Sequence, residues 1–192
     1  MTALSHHDSR AGHNHNFPVE AAKAGNRPFD TTKTRKKWND YMDDREEILH
    51  LMNQYCFAVD TGDMEKFAGL FEYGQWAIEG SQPYFGKKGM LHLIKGIKIY
   101  RDGTPRTKHI TTNVDIQIDN EKGVSTGQCY VTVLQETDNF PLQPIFSGHY
   151  FDEFKQVDGS WCFASRTVRF ALVGNMSAHV IGFKEKPTTF SD

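Results

Sequence analysis

The sequence predicts an α+β domain in which a group of helices is followed by a long, mostly antiparallel sheet that curves around them. Three observations lead there. Residues 44–94 carry apolar side chains at helical spacing in three stretches, each opened by Asp or Gly. From residue 109 the pattern changes to long segments rich in Val, Thr, Ile and aromatic residues, joined by short turns. The chain has 192 residues, which suits one domain with a tail, and shows no internal repeat.

The first helix opens at Asp43-Asp44, where either carboxylate can cap it and Glu46-Glu47 complement the positive end. Ile48, Met52, Tyr55 and Val59 then recur on one face, and Thr61-Gly62 ends the helix after Asp60. Asp63 caps a second helix over residues 64–74, with Phe67, Leu70 and Phe71 on one side. Residues 75–80 read as a strand and Pro83-Tyr84-Phe85 as a short extended piece. Gly86 precedes a third helix carrying Met90, Leu91, Leu93 and Ile94.

After Gly103-Thr104-Pro105 come four strands. The first spans 109–119 and ends with Val114, Ile116 and Ile118 on one face; the second spans 124–137. The third spans 145–156, with Phe146, Tyr150 and Phe154 sharing one parity. Asp158-Gly159 forms a hairpin turn into the fourth, 161–170. The domain boundaries this implies are 41–175, preceded by a flexible or subunit-contacting arm over 1–40 and followed by a tail over 176–192. The arm holds His6, His7, His13 and His15 in a polar tract whose spacing defines no metal site.

Composition excludes several functions. A net charge of -2 gives no electrostatic case for nucleic acid or an anionic membrane. No apolar run approaches the roughly 20 residues that span a bilayer. The N-terminus lacks the apolar stretch of a secretory signal, and three widely spaced cysteines (Cys56, Cys129, Cys162) read as reduced core residues. The expectation is a cytoplasmic protein. Aromatic residues reach 12%, which fits either a well-filled core or the walls of an apolar pocket. Trp76, Phe85 and Phe146 are the candidate walls. No CxxC pair, HExxH, GxSxG, Walker loop or GxGxxG occurs, so metal hydrolysis, acyl transfer and nucleotide chemistry have no positive support.

Several residues can carry chemistry. Asp60 ends an apolar helix, where the dipole disfavours a carboxylate, and this calls for a fixed, preferably cationic partner. Otherwise it is a solvated end or a cap. His109 sits at the start of a strand. Histidine suits proton transfer near neutrality, and a carboxylate on one ring nitrogen leaves the other as a base; a structural strand histidine is the alternative. Tyr55 lies five residues before Asp60. It is either a core Tyr or a donor to a leaving oxygen or a developing oxyanion. Arg169, between Val168 and Phe170, either faces water or is a buried cation needing an anion. His149 can point to either sheet face, and Asn113 can orient a ligand or cap a turn. His50 and His92 read as fillers.

In order, YCFAVDTGDMEKFAGLF, QWAIEG, GKKGMLHLI, KHITTNVDI and SGHYFDEFKQVDGSWCFASRTVRF resemble the SnoaL-like branch of the nuclear transport factor 2-like superfamily, over about residues 44–170. The likeness is to its dehydratase and dehydrochlorinase group: scytalone dehydratase, bile acid 7α-dehydratase and lindane dehydrochlorinase. The resemblance implies a cone-shaped α+β barrel, homotrimers, and an Asp–His dyad working without metal or cofactor in an apolar pocket. Carried over by motif, Asp60 and His109 are the dyad and Tyr55 is the dehydratase tyrosine. Arg169 is the arginine of a VR pair, and His149 is a candidate second histidine. A C-terminal segment in such relatives closes the pocket or reaches a neighbour, a part open here to His179 or Phe183.

The function expected is elimination, foremost of water, from a hydrophobic, aromatic or polycyclic small molecule. His109 serves as base, Asp60 orients it, and Tyr55 and Arg169 assist the departing or charged oxygen. Trp76, Phe85, Asn113, Phe146 and His149 line the site. Three alternatives stand beside it: a retro-aldol-type lyase releasing formaldehyde from an aromatic diol, an isomerase or cyclase on the same dyad, and a non-catalytic binding module.

Overall fold

A computed structural model describes residues 42–184. The expected arm over 1–40 and the last residues of the tail lie outside them.

Helix α1 (Asp44–Asp60) opens with a capping box. The Asp43 carboxylate accepts from the Glu46 amide at 2.8 Å, and the Glu46 side chain accepts from the Asp43 amide at 3.3 Å. Ile48, Met52, Tyr55, Cys56 and Val59 are buried along its inner face. The helix is also fastened across the chain. Trp161 donates its ring N–H to Asp44 at 2.9 Å and its amide to Glu47 at 3.2 Å. After Asp60 the chain reverses at Gly62, φ +78°, where an added Cβ would stand 2.0 Å from the Gly103 carbonyl oxygen; only glycine fits there.

Helix α2 (Met64–Gly69) is capped by Asp63 and is shorter than its sequence pattern. It unwinds into turns because Phe71 must enter the core and Gly74 must pass the Phe163 backbone, 2.3 Å from where a Cβ would be. Strands β1 (Gln75–Ile78) and β2 (Tyr84–Phe85) pair antiparallel. Helix α3 (Gly86–Leu93) follows and runs into a 3-10 turn at Ile94–Gly96.

The rest is a meander of long strands: β3 (Thr107–Asp119), β4 (Val124–Thr137), β5 (Phe140–Val157) and β6 (Ser160–Val173). The six strands form one curved, unclosed sheet in the order β2-β1-β6-β5-β4-β3, in which only β1 and β6 run parallel. Register shifts interrupt β3–β4, β4–β5 and β5–β6; such bulges bend the strands and sharpen their twist. Strand β5 begins five residues before the sequence pattern does. Its two prolines, Pro141 and Pro144, sit where pairing with β4 is already irregular.

The concave face packs on α1, and Ile48, Met52, Val131, Phe154 and Phe163 lie at the centre of one continuous core. All three cysteines are free thiols. Cys56 and Cys129 are buried as expected, whereas Cys162 is only partly covered. No described helix is long and apolar enough to cross a membrane.

Candidate active site

Where α1 ends against the start of β3, the curved sheet leaves a cavity of about 210 Å³. Its walls are Tyr55 and Val59 of α1, Phe67 of α2, Trp76 and Ile78 of β1, and Val133, Ile145, Phe146, Tyr150, Val168 and Phe170 of the long strands. Leu93 and Ile97 close one side. Met176, His179 and Val180, from the segment after β6, complete the lining. The lining is apolar apart from two imidazoles, two phenol hydroxyls and one indole N–H.

Asp60 and His109, 49 positions apart, are in contact. The His109 Nδ1 stands 2.6 Å from Asp60 Oδ1, and the His109 amide donates to Oδ2 at 2.7 Å. The Thr107 hydroxyl adds a third bond, 2.7 Å to Oδ1. Burial alone would raise the Asp60 pKa. The His109 ring bond and charge, the backbone N–H and the Thr107 hydroxyl outweigh it, and hold the carboxyl below its usual range. An ionised carboxylate accepts only, so the network assigns the Nδ1 proton to His109 and leaves Nε2 as the basic corner. The ring lines the cavity, and no described residue bonds Nε2. These donors also offset the placement of a carboxylate at a helix C-terminus.

Tyr55 lines the same cavity, with its ring edge-on to His109 at 6.3 Å. The Trp76 indole donates to its hydroxyl at 3.1 Å, and the phenolic O–H remains a donor. Burial raises the Tyr55 pKa against the opposing Arg166 charge and the Trp76 bond, so the proton stays on. Phe146 and Trp76 are walls, as placed above.

Four residues assigned to the site lie elsewhere. Arg169 is on the outer sheet face, half exposed and held by Glu79 through bonds of 2.6 to 3.0 Å. An extra residue in β6, opposite the Glu153/Phe154 step, switches which parity points inward. Trp161 and Phe163 face the core, then Arg166, Val168 and Phe170. His149 alternates with inward Tyr150 and therefore sits outside, between Tyr130 and Phe151. Asn113 takes φ +55° at the β3 bulge and borders the same outer depression. Phe85 is 65% exposed, because in a two-residue strand Tyr84 takes the inner side.

The interior cation is Arg166. It is fully buried and bidentate to Asp152 at 2.7 and 2.6 Å, with its guanidinium 4.2 Å from both the Tyr55 and Tyr150 rings. It backs the cavity's aromatic wall. Sequence reading missed it, although Asp152 shares the inward parity of Tyr150 and Phe154, and an acid in that row demands a buried cation.

His179 is the second imidazole in the cavity. Burial, and next the neighbouring His109, push it down to about 4 from an ordinary 6.5, while Asp60 opposes. The unfolded chain therefore binds a proton that the folded chain refuses. His179's share of stability is full above about pH 6.5 and is lost as pH falls toward 4, on the order of 3 kcal/mol in all. Urea unfolding from pH 7 to 4 should show a flatter decline in His179→Leu than in the wild type; equal slopes would place the ring in water. Among the described residues no three His, Cys, Asp or Glu side chains cluster as metal ligands do.

No match is found among the curated proteins. Solved structures share the fold. An NTF2-like protein with a cystatin-like fold from Novosphingobium aromaticivorans is 21% identical, with 74% of this chain and 91% of that one covered and a TM-score of 0.58. The hexachlorocyclohexane dehydrochlorinase LinA-type3 of Novosphingobium barchaimii is 19% identical over 80% and 99%, TM-score 0.55. A Mycobacterium tuberculosis protein of unknown function is 23% identical over 73% and 76%, TM-score 0.56. At these identities the likeness establishes the fold alone. Residues 40–167, two thirds of the sequence, match the SnoaL-like domain, and the chain belongs to that family of NTF2-like folds.

Proposed function

We propose that this protein is a lyase that removes water from a compact, apolar small molecule, with Asp60 and His109 as its general-base dyad and no cofactor. The observation that carries this reading is the 2.6 Å contact between Asp60 and the His109 ring on the wall of an apolar cavity. His109 Nε2 takes a proton from a carbon made acidic by its neighbours. The released electron pair forms the new double bond as the carbon–oxygen bond breaks. The departing hydroxyl takes a proton from the Tyr55 O–H or from the imidazolium and leaves as water. Asp60 keeps the tautomer and stabilises the imidazolium. Arg169, turned away by its strand, has no part.

The cavity's 210 Å³ is somewhat larger than the roughly 150 Å³ that holds benzene in an engineered apolar void, so the substrate has one or two rings rather than four. LinA-type3, of the same fold, is named as a dehydrochlorinase, which is also an elimination. The test is incubation with a panel of one- and two-ring alcohols bearing an acidic C–H beside the hydroxyl, read by product mass. Loss of water supports the proposal. Loss of formaldehyde would assign retro-aldol cleavage, unchanged mass an isomerase, and binding of panel members without conversion a carrier.

A further inference from the structure

His179 has no task in the elimination just described, yet it occupies the cavity. Its residue is only 9% exposed, and its ring is part of the lining beside His109. Nδ1 is covered by protein and bonded to nothing. No described residue bonds Nε2 either, and with Nδ1 covered and the residue in the lining, Nε2 is the ring nitrogen that a ligand can reach. The ring is placed by its backbone. The Lys98 amide donates to the His179 carbonyl at 2.8 Å, the Ile181 amide donates to Gly96 at 2.8 Å, and the Gln135 side chain donates to Ala178 at 3.1 Å. A segment tied down this firmly holds the imidazole in the cavity lining without giving it a partner. Nδ1 is out of a ligand's reach, but Nε2 is a hydrogen-bonding atom of the cavity lining that the protein leaves unpaired, and a ligand oxygen can supply its partner.

We propose that His179 is a second polar contact for the substrate, its Nε2 hydrogen-bonding an oxygen other than the hydroxyl that leaves. The substrate then carries at least two oxygen functions on its small apolar frame. This rests on the cavity being the substrate site, but not on the reaction that occurs there. The neutral ring fits the task, since it presents one nitrogen as donor or acceptor without bringing a charge into an apolar space.

The experiment is equilibrium binding of 1-naphthol and naphthalene to the full-length protein at pH 7. The wild type should prefer 1-naphthol by about tenfold, the scale of one net hydrogen bond. His179→Leu should abolish the preference while holding naphthalene within about twofold, and His179→Gln, which keeps a donor and an acceptor, should retain part of it. The proposal is overturned if 1-naphthol keeps its advantage in His179→Leu, or if both ligands weaken equally. If neither ligand binds the wild type, the cavity itself is not the substrate site and the proposed function falls with it. If naphthalene binds and only the His179 dependence is missing, that function stands.

Discussion

Replacing His109 by Ala, or Asp60 by Asn, should lower kcat/KM by about 10²- to 10⁴-fold on any substrate the cavity converts, with ligand binding largely kept. The two losses have different causes. His109→Ala removes the base itself, while Asp60 keeps the Thr107 hydroxyl and the backbone amide as donors. Asp60→Asn leaves every ring in place but offers His109 an amide N–H where a carboxylate stood. The imidazole can then accept at Nδ1 and carry its proton on Nε2, which is the wrong corner for a base. The double variant should be little worse than either single one, because the two side chains act as a unit. Wild-type turnover in both single variants would end the proposed mechanism, whatever their stability.

The largest effect on stability should come from Asp152. Asp152→Ala strips the counter-charge from a guanidinium with no exposed surface, and should lower the unfolding free energy by about 3–5 kcal/mol in urea titration. Arg166 cannot escape by releasing its proton, because a guanidinium is too basic to deprotonate in a protein. Its Nη1 is already without a partner. The double change Asp152→Leu with Arg166→Met should recover most of the loss, since a buried pair exchanged for apolar groups is often neutral. A penalty below about 1 kcal/mol in the single variant would mean that water reaches the pair.

The helix-then-meander order was readable because its signals are local. Asp43 caps, Gly62 turns, Asp158-Gly159 reverses, and Val114, Ile116 and Ile118 mark an inner face. The contact between Asp60 and His109 was readable in part. A carboxylate at the end of an apolar helix announces a missing partner, and a histidine at a strand entry was a candidate that the family likeness then paired with it, but nothing in the sequence measures a gap of 49 positions. Arg169 shows where parity fails. Counting in twos from Phe163 puts Arg169 inside, and one unpaired residue in β6 moves it out and brings Arg166 in. A bulge leaves almost no mark on composition, so the residues beyond it are assigned to the wrong face. His149 was legible by parity, since it alternates with Phe146, Tyr150 and Phe154, whereas the C-terminal position of His179 suggested closure without showing what it would face.

The fastening of α1 at both ends has a consequence during synthesis. Its N-terminal end is pinned by Trp161, 117 positions later than Asp44, and its C-terminal end by β3. At about 5–20 residues per second, a ribosome takes roughly 6–23 s to make the stretch between Asp44 and Trp161. Through that interval the greasy side of the first helix has no finished sheet to lie against. The cavity, whose lining runs on to Phe170 and His179, is therefore among the last parts to exist, and chaperone demand should peak while the final hairpin is still inside the exit tunnel.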